Sequence, residues 1–569
     1  MSINEQLQAV RAQITAPGAP FELADIEVAG QTCRIFKNAP ANLAELIEHA
    51  RDFGDKAFLV YQGERWTFKH FFEHVDALSS QLRNHYAIGK GDHVAIAMRN
   101  RPEWMAAYAA IILSGGVAVP LNSWGLRDEL LYGLQDSQPK LLFCDAARLA
   151  HVAGDLAGID VRAIVTDELE TPLLPGVSRY IDVITGTATP LPAVQIASDD
   201  PAMIMYTSGT SSHAKGVMSS HRAMCQAILN LEYFGTLFAM TSPERIGAMM
   251  AAGFELPTLM AVPLFHSSGL HAQFLSALRT GRRIVVMYKW DIGQVLDTIA
   301  TERVTQLSAS PAMMLQLFTD PRFDATDTRS LSWIGFGGAG IPGKLIEQVS
   351  TKKPLAMAGI GYGLTETNGP ATACTGATFD YKPHSNGPQS PIFDIRIVDE
   401  NDLVLPSGQP GEICMRSVTN MIGYWRKEAA TREVLNDGWF RSGDIGYLDD
   451  EGFLYVVDRI KDIVNRGGEK IASAEVESCL LLHPAIAEAA AFGVPDARYG
   501  EVLAVVVTLR AHQTIDTDGI RAHVAAHLAP FKVPAHVIIR HEDMPRNPAG
   551  KLLKRALREE FLTQDHDKT

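Results

Sequence analysis

The sequence predicts an α/β protein: a large N-terminal domain of helix-covered sheets with a β-rich subdomain, followed by a small α+β C-terminal domain. Three observations predict it. Short β-rich runs alternate with amphipathic helical patterns along the first part of the chain, the order that gives parallel sheets covered by helices. Beyond Gly408 the texture changes to short strands parted by glycine and aspartate turns, as in "PSGQPGEICMRS" and "DGWFRSGDIGYLDDEGFLYVV". From Ala474 onward a compact alternation of helices and strands ends in a basic segment and fits a domain of about a hundred residues.

Taken in order, "DHVAIAM" (Asp92 to Met98), "GVAVPL" (Gly116 to Leu121) and "KLLFCD" (Lys140 to Asp145) read as strands, each beside a helical pattern. The most apolar run, Met105 to Leu121, is broken by Gly115, Gly116 and Pro120 before it could cross a bilayer, and reads as a buried helix, a turn and a strand. "DPAMIM" reads as a strand, the polar segment after it as a loop, and "SSHRAMCQAILNL" as the helix that follows. "GFGGAGIP" at Gly335 to Pro342 reads as a strand-to-helix turn. Near the end come a helix in "AEVESCLLLHP", strands in "IAEAAAFGV" and "EVLAVVVTL", a helix in "GIRAHVAAHL" and the basic "PRNPAGKLLKR". A boundary close to Asp458 divides the chain into 1–457 and 462–569, with 458–461 between them.

With 569 residues the chain exceeds what one core supports. Its 46% apolar and 20% charged residues are ordinary for a folded globular protein, and a net charge of −14 gives no global attraction to nucleic acid or to an anionic membrane. The six cysteines form no CxxC pair, and "SINEQLQAVRAQ" follows Met1 where a basic and apolar leader would stand. A reduced, cytoplasmic protein without an integral membrane segment is expected.

The stretch "YTSGTSSHAKGV", Tyr206 to Val217, sets hydroxyls, glycines and Lys215 after a strand. Such a turn can aim N–H groups and hydroxyls at an anion. It lacks the GK[ST] ending of a Walker loop, and by composition alone a solvated loop is an equal reading.

Four further motifs change that balance: "GYGLTETNG" (Gly361 to Gly369), "RSGDIGYLDDEG" (Arg441 to Gly452), "DRIKDIVNRGGEKI" (Asp458 to Ile471) and "PRNPAGKLLKR" (Pro545 to Arg555). In this order the set closely resembles the adenylate-forming superfamily of acyl-CoA synthetases, luciferases and nonribosomal adenylation domains, from Gly63 to Arg555. The resemblance implies that Thr207, Ser208, Gly209, Thr210 and Lys215 grip the β- and γ-phosphates of ATP. It places Tyr362 and Gly363 at the nucleotide, with the ring against adenine, Thr365 at phosphate and Glu366 on Mg²⁺. Gly338 and Ala339 would bring main chain close to the base. Asp444 would accept the ribose hydroxyls, and Arg459 would reach the same sugar. Lys551 would bridge the acid's carboxylate and the α-phosphate, with His266 beside that carboxylate and Gly337, Ile360 and Gly361 around the acyl group. Lys461 would be the hinge of a mobile small domain, and Gly467 and Gly468 would line the CoA tunnel. Three positions depart from the pattern: Ser212 stands for a glycine, Ala214 for a proline and Ser442 for a threonine.

The implied enzyme is an acid–thiol ligase that makes an acyl-adenylate from ATP and an acid, then an acyl-CoA. ATP, Mg²⁺ and coenzyme A are its expected co-substrates and cofactor. Amino-acid-activating members of the superfamily normally carry an aspartate just after the aromatic segment; none stands in "PLFHSSGLHAQFL", so the resemblance implies an uncharged fatty or aryl acid. Met240, Met249, Met250 and Met260 fall in or near the segment that, by the resemblance, leads to the acyl pocket, where methionine adapts to irregular shapes; ordinary core filling is an equal reading for each. Only "ALREEFLTQDHDKT" follows the last motif, which favours CoA over a fused carrier protein. The alternatives are an acyl-AMP ligase loading a separate carrier protein, a luciferase-type oxygenase, and a catalytically weak nucleotide-binding relative. The resemblance also raises a homodimer as an expectation.

Overall fold

The helix Pro102–Leu113 is apolar apart from Glu103, and in the computed structural model all its residues but Glu103 and Leu113 are buried. Proline in its first turn gives up no helical hydrogen bond, and Gly115, at φ 77°, turns the chain into the strand Val117–Pro120. The structure describes residues 2–28, 30–169, 172–185, 192–207, 214–337, 340–547 and 552–566. One continuous core joins this helix to Phe71 and Leu78 of the helix Phe68–Asn84, to Ile96 and Phe143 of one sheet, and to Met260 and Ile284 of another. The helices therefore lie between two sheets.

Among the described residues each of these sheets has eight strands. In the first, Pro201–Tyr206, Val117–Pro120, His93–Ala97, Leu141–Cys144, Arg162–Val165 and Val177–Arg179 run parallel in that spatial order. In the second, Met357–Leu364, Trp333–Phe336, Gln306–Ala309, Thr258–Met260, Ile284–Val286 and Ala57–Tyr61 are likewise parallel. Strands such as Leu141–Cys144 are buried along their whole length, as sheets covered on both faces require. Parallel strands present their carboxyl ends at one edge, where open α/β sheets bind ligands.

The segment after Tyr206 differs from its sequence reading. Gly216–Ser220 is a strand that pairs antiparallel with Pro201–Tyr206, Tyr206 facing Gly216, so residues 207–215 connect a hairpin and do not lead straight into a helix. Val217, placed opposite Met205, is buried, and this apolar pairing draws "GVMSS" into the sheet. The helix His221–Met240 starts after it, and Ser220 caps its N-terminus by accepting from the Ala223 N–H. That helix end is therefore not the anion site of the loop.

An antiparallel sheet of short strands spans residues 387–459, and Ile463–Arg466, Glu469–Ala472, Ile486–Asp496, Gly500–Leu509 and His536–Arg540 form a sheet of their own in the C-terminal domain. The helices Ser473–Leu481 and Thr517–His527 cover it around Val464, Val476, Val505 and Ile520. The first forty residues, which carry no sequence motif, pack on the helix His221–Met240: Gln226 exchanges hydrogen bonds with both main-chain groups of Phe36, at 2.9 and 3.0 Å. All six cysteines are free, and among the described residues no helix is long and apolar enough to cross a membrane. The four methionines do not gather at one place: Met260 is in the core, whereas Met240 and Met250 are exposed.

Candidate functional site

At the carboxyl edge of the first sheet, Thr207 and Lys215 close the hairpin connection. The Thr207 N–H donates to the Lys215 carbonyl at 3.0 Å, and its hydroxyl reaches the same oxygen at 3.4 Å. The Tyr132 hydroxyl donates to the Ala214 carbonyl at 3.1 Å and accepts from Lys427 Nζ at 3.1 Å. Lys215 Nζ stands 4.8 Å from the centre of the Tyr424 ring, and the Tyr424 hydroxyl donates to Glu366 Oε1 at 2.8 Å. One tyrosine thus joins the lysine of the loop to the glutamate of the second sheet.

Glu366 lies in the short 3₁₀ turn Thr365–Thr367 and is 9% exposed, which rules out a solvated carboxylate at a helix start. Asn368, at φ 55°, ends that turn and donates its side-chain N–H to the Thr419 carbonyl at 2.9 Å. The Met421 N–H donates to the Glu366 carbonyl and the Ile422 N–H to that of Met218, each at 2.8 Å, so this segment stitches the two sheets together. Burial raises the Glu366 carboxyl above its usual 4.5, against the Tyr424 hydrogen bond and the charges of Arg459 and Lys215. A buried carboxylate oxygen whose charge burial penalises suits a hard cation, so Glu366 could hold Mg²⁺.

A second hydrogen-bonded group starts from the strand just before that turn. Asp444 and Arg459 face each other on paired strands, with Arg459 Nε 3.1 Å from Asp444 Oδ1. The Tyr362 hydroxyl donates to Asp444 Oδ2 at 2.9 Å. Ser442 Oγ accepts from the Asp444 N–H at 3.0 Å, so the hydroxyl survives the change from threonine. Tyr362, Asp444 and Arg459 are brought together, and only Gly363, Leu364 and Thr365 separate Tyr362 from Glu366.

On the acyl side, His266 precedes the short helix Ser267–Gly269 and the π-helical stretch Leu270–Leu275, a local irregularity frequent at functional sites. Its Nε2 is buried and has no hydrogen-bond partner among the described residues. Burial pushes its pKa down to about 4, so at neutral pH it offers a neutral imidazole. Gly337 follows the strand Trp333–Phe336, and among the described residues no atom stands within 4 Å of where its Cβ would be. At Gly361 a Cβ would meet Pro370 Cβ at 3.2 Å, and at Gly363 it would meet the Gly369 carbonyl at 2.0 Å, so no side chain fits at Gly363. Ile360, before them on the strand, is buried.

Ser208, Gly209, Thr210, Gly338, Ala339 and Lys551 lie outside the described residues, as does Ser212. The neighbours of Lys551 are described. Arg546, Asn547 and Leu553 line a cavity of about 750 Å³ with Arg99, Trp124 and Pro263, at the carboxyl edges of both sheets. Gly467 and Gly468 form an exposed hairpin turn in the C-terminal domain, where the Gly467 N–H donates to the Tyr499 carbonyl at 2.8 Å. Lys461 is exposed in the turn Ile460–Asp462. Beside it the Asp458 carboxylate accepts from the N–H groups of Arg459, at 2.8 Å, and of Ala474, at 3.0 Å, reaching the helix Ser473–Leu481 across the linker. Sequence reasoning missed Tyr424: none of the motifs includes "MIGYW", and its pairing beside Val217 brings the hydroxyl to Glu366.

Residues 46–425 match the AMP-binding enzyme family, and residues 475–551 match the AMP-binding enzyme C-terminal domain. The chain belongs to the AMP-binding enzyme family. A long-chain-fatty-acid–CoA ligase of Mycobacterium tuberculosis is 32% identical over 474 residues, which cover 83% of this chain and 89% of that protein. A 2-succinylbenzoate–CoA ligase of Bacillus velezensis is 32% identical over 520 residues, 90% of this chain and 97% of that one. The solved structure of ATP-bound MatB from Rhodopseudomonas palustris matches with a TM-score of 0.80 at 27% identity, over 91% of this chain and 99% of the other. In this AMP-binding enzyme the contacts above fall within both matched regions or in the segment between them: Lys215, Tyr362, Glu366 and Tyr424 in the first, Asp444 and Arg459 between the two, and Arg546 in the second.

Proposed function

We propose that the protein activates an uncharged fatty or aryl carboxylic acid with ATP and transfers the acyl group to the thiol of coenzyme A. What carries this reading is one arrangement: the last residues of one strand and the turn after it hold Lys215–Tyr424–Glu366 and Tyr362–Asp444–Arg459 side by side, with three residues between Tyr362 and Glu366. That spacing suits a nucleotide with its phosphates at the first group and its ribose at the second. An oxygen of the acid attacks the α-phosphorus, the bond to the bridging oxygen of pyrophosphate breaks, and an acyl-adenylate remains. The thiol sulfur then attacks the acyl carbon, AMP leaves with the bridging oxygen, and the thiol proton passes to solvent.

In the first step Lys215 and Lys551 offset phosphate charge, and His266, neutral and with a free buried nitrogen, holds the carboxylate by a hydrogen bond. Mg²⁺ on Glu366 would supply further charge neutralisation at the phosphates. Arg546, Asn547 and Leu553 line the 750 Å³ cavity together with residues of the large domain, and neither Gly467 nor Gly468 lines it, which supports an adenylation arrangement. The second step then needs the small domain, residues 462–569, to turn about 458–461 so that Lys551 withdraws and the Gly467–Gly468 turn comes in. The Asp458 hydrogen bond to Ala474 has to open or re-form in that turn.

The named relatives take acids as different as a long-chain fatty acid and 2-succinylbenzoate, so fatty and aryl acids belong in one test. Pyrophosphate release over a panel of both, with and without CoA, is expected to be acid-dependent and to yield an acyl-CoA and AMP. Release with no thioester product would favour loading of a carrier protein. No release with any acid would contradict activation altogether.

A further inference from the structure

Apart from the nucleotide groups, the C-terminal domain carries a cluster of metal-ligating side chains. Cys479, near the end of the helix Ser473–Leu481, meets His523 and His527, one turn apart on the helix Thr517–His527. Cys479 Sγ and one ring nitrogen of each histidine lie within 4.8 Å of one another. The sequence holds these residues in a C-x₃-H and an H-x₃-H pair, the second a spacing common in zinc sites. His483, the partner of Cys479 in the first pair, brings its ring to 5.0 Å from that of His523.

Each of the two histidines has one ring nitrogen on a backbone carbonyl. His523 Nε2 meets the Cys479 carbonyl oxygen at 2.9 Å, and His527 Nδ1 meets the His523 carbonyl oxygen at 2.8 Å. A carbonyl only accepts, so each of those nitrogens bears the proton and the other ring nitrogen keeps its lone pair. That is how ligating histidines are held, the non-ligating N–H fixed on a carbonyl. His483 Nδ1 accepts from the Ala485 N–H at 3.2 Å and is not part of the set in this orientation.

We propose that Cys479, His523 and His527 form a binding site for a borderline divalent metal of the zinc class, independent of the Mg²⁺ expected at Glu366. One thiol and two imidazoles suit zinc and disfavour magnesium or calcium, which take oxygen ligands. Zinc–sulfur and zinc–nitrogen bonds of about 2.3 and 2.0–2.1 Å put tetrahedral ligand atoms roughly 3.3–3.6 Å apart. The side chains reach that by moving inward about 1 Å, and the metal displaces the thiol proton on binding. Cys479 is buried and His527 exposed, so solvent reaches the site from the His527 side and the fourth position takes water or a turned His483. The metal would clamp one helix of the small domain to the other.

The test uses the full chain without a polyhistidine tag, reduced and freed of metal by a chelator. Zn²⁺ is titrated against a chromophoric competitor, and Co²⁺ serves as a spectral probe. One Zn²⁺ per chain is expected, with the near-ultraviolet charge-transfer absorption of a cobalt–thiolate bond. Cys479→Ser should abolish that absorption, and both Cys479→Ser and His527→Ala should weaken Zn²⁺ binding at least about tenfold. Cys33→Ser, in the N-terminal ribbon, should leave binding unchanged. His527 is exposed, so its variant folds even if the change at buried Cys479 does not. Absence of stoichiometric Zn²⁺ binding, or binding that His527→Ala leaves intact, would overturn the proposal.

Discussion

At the scale of single residues, Glu366 couples stability to function. Its carboxyl is buried and its pKa raised, so between its usual 4.5 and the higher folded value the fold holds a proton that the unfolded chain has lost. Stability from this group therefore falls as pH rises through that window and stays lower above it. Glu366→Gln has no charge to bury and should hold or raise the Tm of the ligand-free protein at pH 7, while adenylation falls about 100-fold, the order seen when one group stabilising transition-state charge is removed. A lower Tm together with full activity would remove Glu366 from the site. Tyr424→Phe deletes the hydroxyl between Lys215 and Glu366; it should cost about 1 kcal/mol in denaturant unfolding and raise the apparent KM for ATP. Among the described residues nothing stands within 4 Å of a Cβ at Gly337, and Gly337→Leu should exclude the larger acids of a substrate panel without altering ATP-dependent activation of the smallest. Uniform loss for every acid would place Gly337 away from the acyl group.

At the scale of elements, the hairpin and the linker decide the outcome. Tyr132 and Thr207 hold both ends of the connection, so the residues that depart from the family pattern, Ser212 and Ala214, act within a loop whose ends are fixed. The double change Ser212→Gly with Ala214→Pro should shift the apparent affinity for ATP if the mobility of that loop limits binding, and an unchanged affinity would show the departures neutral. The linker 458–461 joins a β-strand to the small domain through one short turn. Fixing its φ with Lys461→Pro should leave pyrophosphate release intact and slow thioester formation from supplied acyl-adenylate. An unaffected second step would place the hinge elsewhere.

At the scale of the whole molecule, His74, His221, His266 and His271 are each pushed from 6.5 down to about 4 by burial. The unfolded chain takes up their protons first, so stability is lost as pH falls from 6.5 toward 4, by up to about 1.4 kcal/mol per proton for each pH unit. The Tm should drop between pH 7 and 5, and a flat profile would mean that these rings are hydrated. Much of the architecture was legible beforehand because local pattern and burial agree: the run Met105 to Leu121 broke at its glycines, and the motifs marked Glu366 and Asp444. What stayed hidden depends on pairing between distant segments. "GVMSS" became a strand only against Met205, Tyr424 gained its place beside Glu366 through Val217, and the Cys479 cluster needed two helices to pack, although its spacings stand in the sequence. The claim that an acid oxygen attacks the α-phosphorus is tested most directly with an acid from the panel labelled with ¹⁸O in its carboxylate. After turnover with ATP and CoA, one ¹⁸O should appear in AMP and none in pyrophosphate. Label in inorganic phosphate together with ADP, or none in AMP, would contradict the account.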